Sequence, residues 1–120
     1  MIYSDIKKNL SLINDPVEKL EMVMDLGKSL ATIPQDAKCT EILGCTSFVK
    51  ICESDEKFYG YADSAMVRGI VAIFLAMIDG KSREEIKNMD LNTEFNSLNL
   101  NFGMSRLNGI QSMIRFFKNL

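Results

Sequence analysis

The chain has 120 residues with 14 basic and 16 acidic side chains, and a net charge of −2 gives no general attraction to nucleic acid or to an anionic membrane. Its length is that of one domain, residues 1–120, long enough to bury a core unaided, and a 47% hydrophobic composition excludes a disordered or collagen-like chain. There is no histidine, which excludes Ser-His-Asp hydrolases, Cys-His thiol proteases and His-ligated metal centres.

Residues 1–14 place Ile2, Ile6, Leu10 and Ile13 at helical spacing and lack the continuous apolar stretch of a secretory signal. Asp15-Pro16 marks a second helix start, with a capping carboxylate followed by a proline at the first helical position. That helix runs through Leu20, Val23, Leu26 and Leu30, and Pro34 stops the chain from continuing it. From residue 39 the helical spacing disappears and strand-favouring side chains take over. The expected strands are residues 39–43, 47–53 and 57–62, joined by turns at 44–46 and 54–56. Together they form a small antiparallel meander.

Ser64 opens the next helix, which is apolar on every side and ends near Asp79-Gly80, so it is expected at the centre of the core. Its most apolar run, residues 69–78, is too short to cross a bilayer, which takes about 20 residues. Ser82-x-x-Glu85 is a capping box for a short helix to about residue 88. The Asn-rich stretch 91–100 reads as a short helix with loops. Ser105 is a candidate cap for the last helix, with Leu107, Ile110, Ile114 and Phe117 on one face. Helices, then strands, then helices make an α+β chain with about three antiparallel strands packed against helices.

The cysteines are Cys39, Cys45 and Cys52, spaced too widely for a zinc ribbon or finger. A disulfide between two of them leaves the third free, and an odd count with no signal sequence points to a reducing, cytoplasmic compartment. Cys52 lies inside an apolar strand and reads as structural; Cys39 reads as structural or incidental. Cys45 follows Gly44, whose conformational freedom suits a turn that lifts a side chain out at a loop tip. On residues alone it is either a reactive thiol or a buried structural cysteine. Only a few per cent of an ordinary thiol is thiolate at neutral pH, so a reactive one gains from a cation, for which Lys50, Arg68 and Arg106 are candidates. The methionines fall in helical apolar patterns and read as core. Asp63-Ser64 reads as a helix cap, and residues 103–109 place Arg106 and Asn108 near another loop without forming a phosphate-binding fingerprint.

Taken together, these segments resemble the SufE sulfur-acceptor family. Gly44-Cys45-Thr46-Ser47-Phe48-Val49 resembles its Gly-Cys-x-Ser-x-Val motif, and Ala62-Asp63-Ser64-Ala65-Met66-Val67-Arg68-Gly69 resembles its Ser/Ala-Asp-Ser/Ala-Ala-x-Val-Lys/Arg-Gly segment. Ser105-Arg106-Leu107-Asn108-Gly109-Ile110 is similar to its late Ser-Arg-x-Asn-Gly-Leu motif, and Glu18-Lys19-Leu20 with Leu26-Gly27-Lys28 matches its opening helix. The chain departs from the family at Thr46, where Gln is usual, at Lys50, where Trp is usual, and at Gly103-Met104, where Ser-Pro is usual.

The resemblance implies a fold shared with the IscU-like assembly scaffolds and a role as a sulfurtransferase-like accessory protein rather than a stand-alone enzyme. Cys45 would take persulfide sulfur from a cysteine desulfurase, stimulate that enzyme, and relay the sulfur to an iron–sulfur cluster assembly scaffold. The pyridoxal phosphate (PLP) belongs to the desulfurase, and no cofactor or metal is implied on this chain. The resemblance also implies a sheltered pocket for Cys45, with Arg106 in support and Gly44, Ser47, Asp63 and Arg68 as loop or partner contacts. The protein is expected to be a monomer or homodimer without nucleic-acid or membrane partners. Two alternatives remain: a scaffold that binds a nascent iron–sulfur cluster itself, and an interaction module that only activates a desulfurase.

Overall fold

A computed structural model describes residues 2–120; Met1, within the expected first helix, lies outside the described residues. Helices α1 (Tyr3–Ser11) and α2 (Pro16–Gly27) precede strands β1 (Lys38–Glu41), β2 (Val49–Ser54) and β3 (Lys57–Ala62). Helices α3 (Ala65–Ile78), α4 (Arg83–Asn88), α5 (Leu91–Asn96) and α6 (Met104–Lys118) follow. The architecture is the expected α+β one.

Local chemistry accounts for most of the boundaries. Asp15 accepts the Val17 N–H at 2.9 Å ahead of Pro16, which starts α2. Ser64 accepts the Val67 N–H at 3.4 Å and starts α3. At α4 the reciprocal box forms: Glu85 N–H donates to Ser82 Oγ at 3.2 Å, and Ser82 N–H donates to Glu85 Oε1 at 3.0 Å. Asp55 and Glu56, with φ of 49° and 63°, form the two-residue turn between β2 and β3, the twist that a tight hairpin requires.

The sheet is an antiparallel meander ordered β1-β2-β3. Because side chains alternate along a strand, Val49 and Ile51 face the core, and Lys50 and Cys52 face the other side. Helix α3 fills the centre, packed against α2 on one side and β3 on another. Gly60 of β3 lets the strand close on Val71, and Gly69 of α3 lets the helix approach the Val23 carbonyl of α2. From α3, Phe74 stacks on Phe95 with ring centroids 4.9 Å apart, and Phe117 of α6 lies 6.4 Å away. Each such buried ring contributes about 1.5–3 kcal/mol from removal of apolar surface from water.

Helix α2 ends at Gly27, before the expected Leu30, and three other features differ from the sequence reading. The β1–β2 ladder ends at Glu41↔Lys50, closed by an Ile42 N–H to Val49 O bond of 2.8 Å, so both strands stop short of the loop between them. Helix α6 starts at Met104 with Gly103 at its N-cap, φ 79°, and Ser105 lies inside its first turn. Leu107 is 45% exposed, because the buried stripe of α6 is Gly109, Ile110, Met113, Ile114 and Phe117.

Candidate functional site

The loop of residues 42–48 joins β1 to β2 and carries Cys45, the free cysteine among the described residues. Two packed residues anchor its ends: Ile42 is 5% exposed and Val49 fully buried. At the turn, Gly44 has φ 89°, a backbone conformation that side-chain-bearing residues rarely adopt. A Cβ at Gly44 would also lie only 2.9 Å from Ser112 Oγ of α6. Gly44 is therefore fixed by both its backbone conformation and the space around it.

This turn does not lift Cys45 outward. It folds the side chain back against α6, where the thiol rests over the bare backbone of Gly109; a Cβ at Gly109 would stand 2.8 Å from Cys45 Sγ. Val67 and Ile70 of α3 and Arg106, Ile110 and Met113 of α6 complete the nook. Its free volume is about 10 Å³, at the lower limit of what one water occupies, so the thiol is packed rather than hanging over a cavity.

Burial pushes the Cys45 thiol up from its ordinary value, and desolvation is the cause. The resting site thus favours the neutral thiol. The folded form holds its proton at pH values where an unfolded chain would lose it. This contribution to stability is present in full below the ordinary thiol pKa and is lost as pH rises through the raised one. Iodoacetamide labelling of Cys45 in the folded protein should therefore rise with pH, with a midpoint above the roughly 8.5 of a free cysteine. A midpoint below that value would show a cation at the thiol in the resting state.

The other sequence candidates fall into two groups. Arg106, partly buried, lines the nook with Cys45. Ser47 has a buried hydroxyl with no hydrogen-bond partner. Arg68 is engaged elsewhere: its Nε donates to the Ala62 carbonyl at 2.7 Å and its guanidinium lies 5.3 Å from the centre of the Tyr61 ring. Asp63 is exposed, and its backbone N–H donates to the Phe48 carbonyl at 3.1 Å, which ties the end of β3 to the Cys45 loop. Lys50 sits on the face of β2 away from the core, opposite Glu41 and Tyr61. Sequence reasoning gave no role to Gly109 or Ser112. The signal was a glycine inside a helical pattern, where it costs about 1 kcal/mol relative to alanine and so points to a packing need.

The remaining cysteines are not independent. Cys39 and Cys52 are opposite each other in the β1–β2 register and form a disulfide. This changes the reading of Cys39 from structural or incidental to one half of a cross-strand bond.

Comparison with known proteins gives a consistent result. The sequence profile of SufE, described as an Fe-S metabolism associated domain, matches residues 4–120. The chain belongs to the SufE family. This SufE-family chain is 30% identical to an uncharacterised SufE-like protein of Rhizobium meliloti (strain 1021), over 92% of this chain and 87% of that one. It is 30% identical to the cysteine desulfuration protein SufE of Wigglesworthia glossinidia brevipalpis, covering 92% and 83% of the two chains. It is 28% identical to the sulfur acceptor protein CsdE of Escherichia coli (strain K12), covering 80% and 71%. Its fold superposes on the solution structure of a hypothetical protein from Thermus thermophilus with a TM-score of 0.72, covering 99% and 94% at 15% identity. Among the described residues no helix is long and apolar enough to cross a membrane.

Proposed function

We propose that this protein is a sulfur acceptor: Cys45 takes sulfur from the persulfide of a PLP-dependent cysteine desulfurase and passes it to an iron–sulfur assembly scaffold. The observation that carries the proposal is a free thiol in the middle of a loop anchored at both ends, packed on the bare backbone of Gly109 in a nook lined by α3 and α6. The family membership and the names of the SufE and CsdE relatives support it.

The chemistry is thiol exchange. The Cys45 thiolate attacks the terminal sulfur of the donor persulfide, a sulfur–sulfur bond forms to Cys45, and the donor thiolate leaves. The resting nook opposes ionisation, so Cys45 reacts after leaving it for a more polar environment on the docked partner. In this reading Arg106, which lines the nook, meets the anion once the loop has moved, and Ser47 offers a spare hydroxyl on the same loop. Between transfers the nook keeps the thiol away from oxidants, which attack exposed thiolates first.

The surface around the loop suits a protein partner. Leu43 and Phe48 on the loop are 74% and 39% exposed, and Met104, on the first turn of α6, is 82% exposed. Exposed apolar side chains on the Cys45 loop and on the helix that shelters it are surface that a protein partner would cover. The reading places the protein in the cytoplasm, where the donor enzyme and scaffold would meet it. The cluster-scaffold alternative has less support. Among the described residues no three His, Cys, Asp or Glu side chains are grouped to hold a metal ion.

Alanine production by a desulfurase supplied with cysteine tests the proposal. The wild-type chain is expected to accelerate turnover, and Cys45→Ser to abolish that acceleration. Full acceleration by Cys45→Ser would make the protein an activating module that carries no sulfur.

A further inference from the structure

We propose that Cys39 and Cys52 form a second thiol site, a reversible dithiol–disulfide couple that sets how freely the hairpin carrying Cys45 opens. Three observations lead to it. First, the two cysteines face each other directly across β1 and β2, with Cα atoms 3.9 Å apart, well short of the ~7 Å beyond which a disulfide cannot bridge. Second, they sit on the side of the sheet away from the core: Cys39 is exposed, and Cys52, though only 1% exposed, lies outside the hydrophobic cluster. The bond is therefore reachable by a dissolved thiol at Cys39, without unfolding. Third, Cys45 lies on the chain between them, so the disulfide closes the base of the hairpin whose loop holds the candidate nucleophile.

The position of β1 makes this closure matter. All four of its residues are exposed, and β2 is the element it packs against extensively. With the clasp open, β1 is an edge strand held by one ladder, a segment of low local stability that can part from β2 together with the Cys45 loop. With the clasp closed, β1 is covalently tied to β2, which is paired on both sides, and opening is confined to the residues between the cysteines.

A low-molecular-weight disulfide of the oxidised-glutathione type supplies the oxidising equivalents. The Cys39 thiolate attacks one of its sulfurs and expels a thiolate, giving a mixed disulfide. The Cys52 thiolate then attacks the Cys39 sulfur and expels the second. The protein dithiol loses two electrons and two protons, and one small disulfide becomes two thiols. Reduction runs the same exchange backwards, starting at exposed Cys39. In a reducing compartment the couple responds to the poise of the thiol pool.

The couple itself does not depend on the sulfur-acceptor reading, although its value as a control on sulfur transfer does. The test therefore needs no sulfur donor. In glutathione buffers of increasing oxidation, Cys45→Ser protein is expected to lose both thiols together without retaining a glutathione adduct, as read by intact mass after alkylation. In the wild-type chain, iodoacetamide should label Cys45 about threefold more slowly in the oxidised form, the change expected when the free segment is roughly halved. Cys39→Ser, at an exposed position, should abolish the redox dependence while retaining the fold. A stable glutathione adduct on Cys39 with Cys52 left as a thiol would overturn the couple. Equal labelling of Cys45 in both redox states would overturn its control of the loop. Redox-dependent labelling in a protein that accepts no sulfur would uphold this inference while defeating the functional reading.

Discussion

Gly109→Ala is expected to expel the Cys45 thiol from its nook at a modest cost in stability, since the gain in helix propensity offsets part of the overlap. The two effects have separate causes. A methyl group at residue 109 would stand 2.8 Å from Sγ, 3.4 Å from the Cys45 Cβ and 3.5 Å from its Cα, and the nook has only about 10 Å³ in which to absorb the overlap. Overlap of this kind costs about 1–3 kcal/mol. The loop is the yielding partner, because α6 is fixed by Ile110, Met113, Ile114 and Phe117 in the core. Since each ~1.4 kcal/mol is a factor of ten, the exposed population of Cys45 should rise roughly 5- to 140-fold. Meanwhile alanine is a better helix former than glycine by about 0.5–1 kcal/mol. Iodoacetamide labelling of Cys45 should accelerate strongly while stability, read from the denaturant midpoint, falls by no more than about 2 kcal/mol. Unchanged labelling would show that the thiol is not held by contact with Gly109.

Gly69→Ala should cost more stability, although it too replaces a helical glycine. A Cβ at residue 69 would overlap the Val23 carbonyl and Cγ1 of α2. A carbonyl inside a helix cannot turn aside as a side chain can, so α2 and α3 would have to separate. From the Gly27 side the fit is equally close, since a Cβ there would lie 2.8 Å from the Gly69 nitrogen and from the Arg68 Cβ. The expected loss is about 3 kcal/mol, at the upper end for overpacking, after any gain in helix propensity. Chemical denaturation with the slope checked for two-state behaviour would measure it. A loss below about 0.5 kcal/mol, the range of an ordinary surface substitution, would contradict the close approach of the two helices.

These two glycines also show what was legible in the sequence. The Ser82–Glu85 capping box, the strand over residues 57–62 and the all-apolar α3 opening after Ser64 could all be read because each depends on chemistry local to the chain. The start of α6 was misplaced because Ser105 has the side chain of a cap, whereas the chain turns at Gly103 through backbone conformation alone. Leu107 was assigned to the buried face because its spacing from Ile110 and Ile114 is helical. The stripe that packs is shifted toward Gly109 and Met113 by the loop and helices it meets.

The candidate site was legible only in part for the same reason. Cys45 could be singled out, but its resting place depends on a contact between residue 45 and residue 109 that no local pattern encodes. The cations named beside it illustrate the limit: Arg106 shares the nook, while Arg68 is turned to Ala62 and Tyr61. The pairing of Cys39 with Cys52 depended on strand register, which a seven-residue loop leaves open until the ladder is seen.

The central claim is that Cys45 carries sulfur, and the most direct measurement is the mass of its peptide after the protein has been incubated with a cysteine desulfurase and cysteine. The account predicts a gain of one sulfur atom on the fragment containing Cys45, removed by a reducing thiol and absent from Cys45→Ser. An unmodified Cys45 peptide under conditions where the desulfurase is turning over, or sulfur found on Cys39 or Cys52 instead, would contradict it.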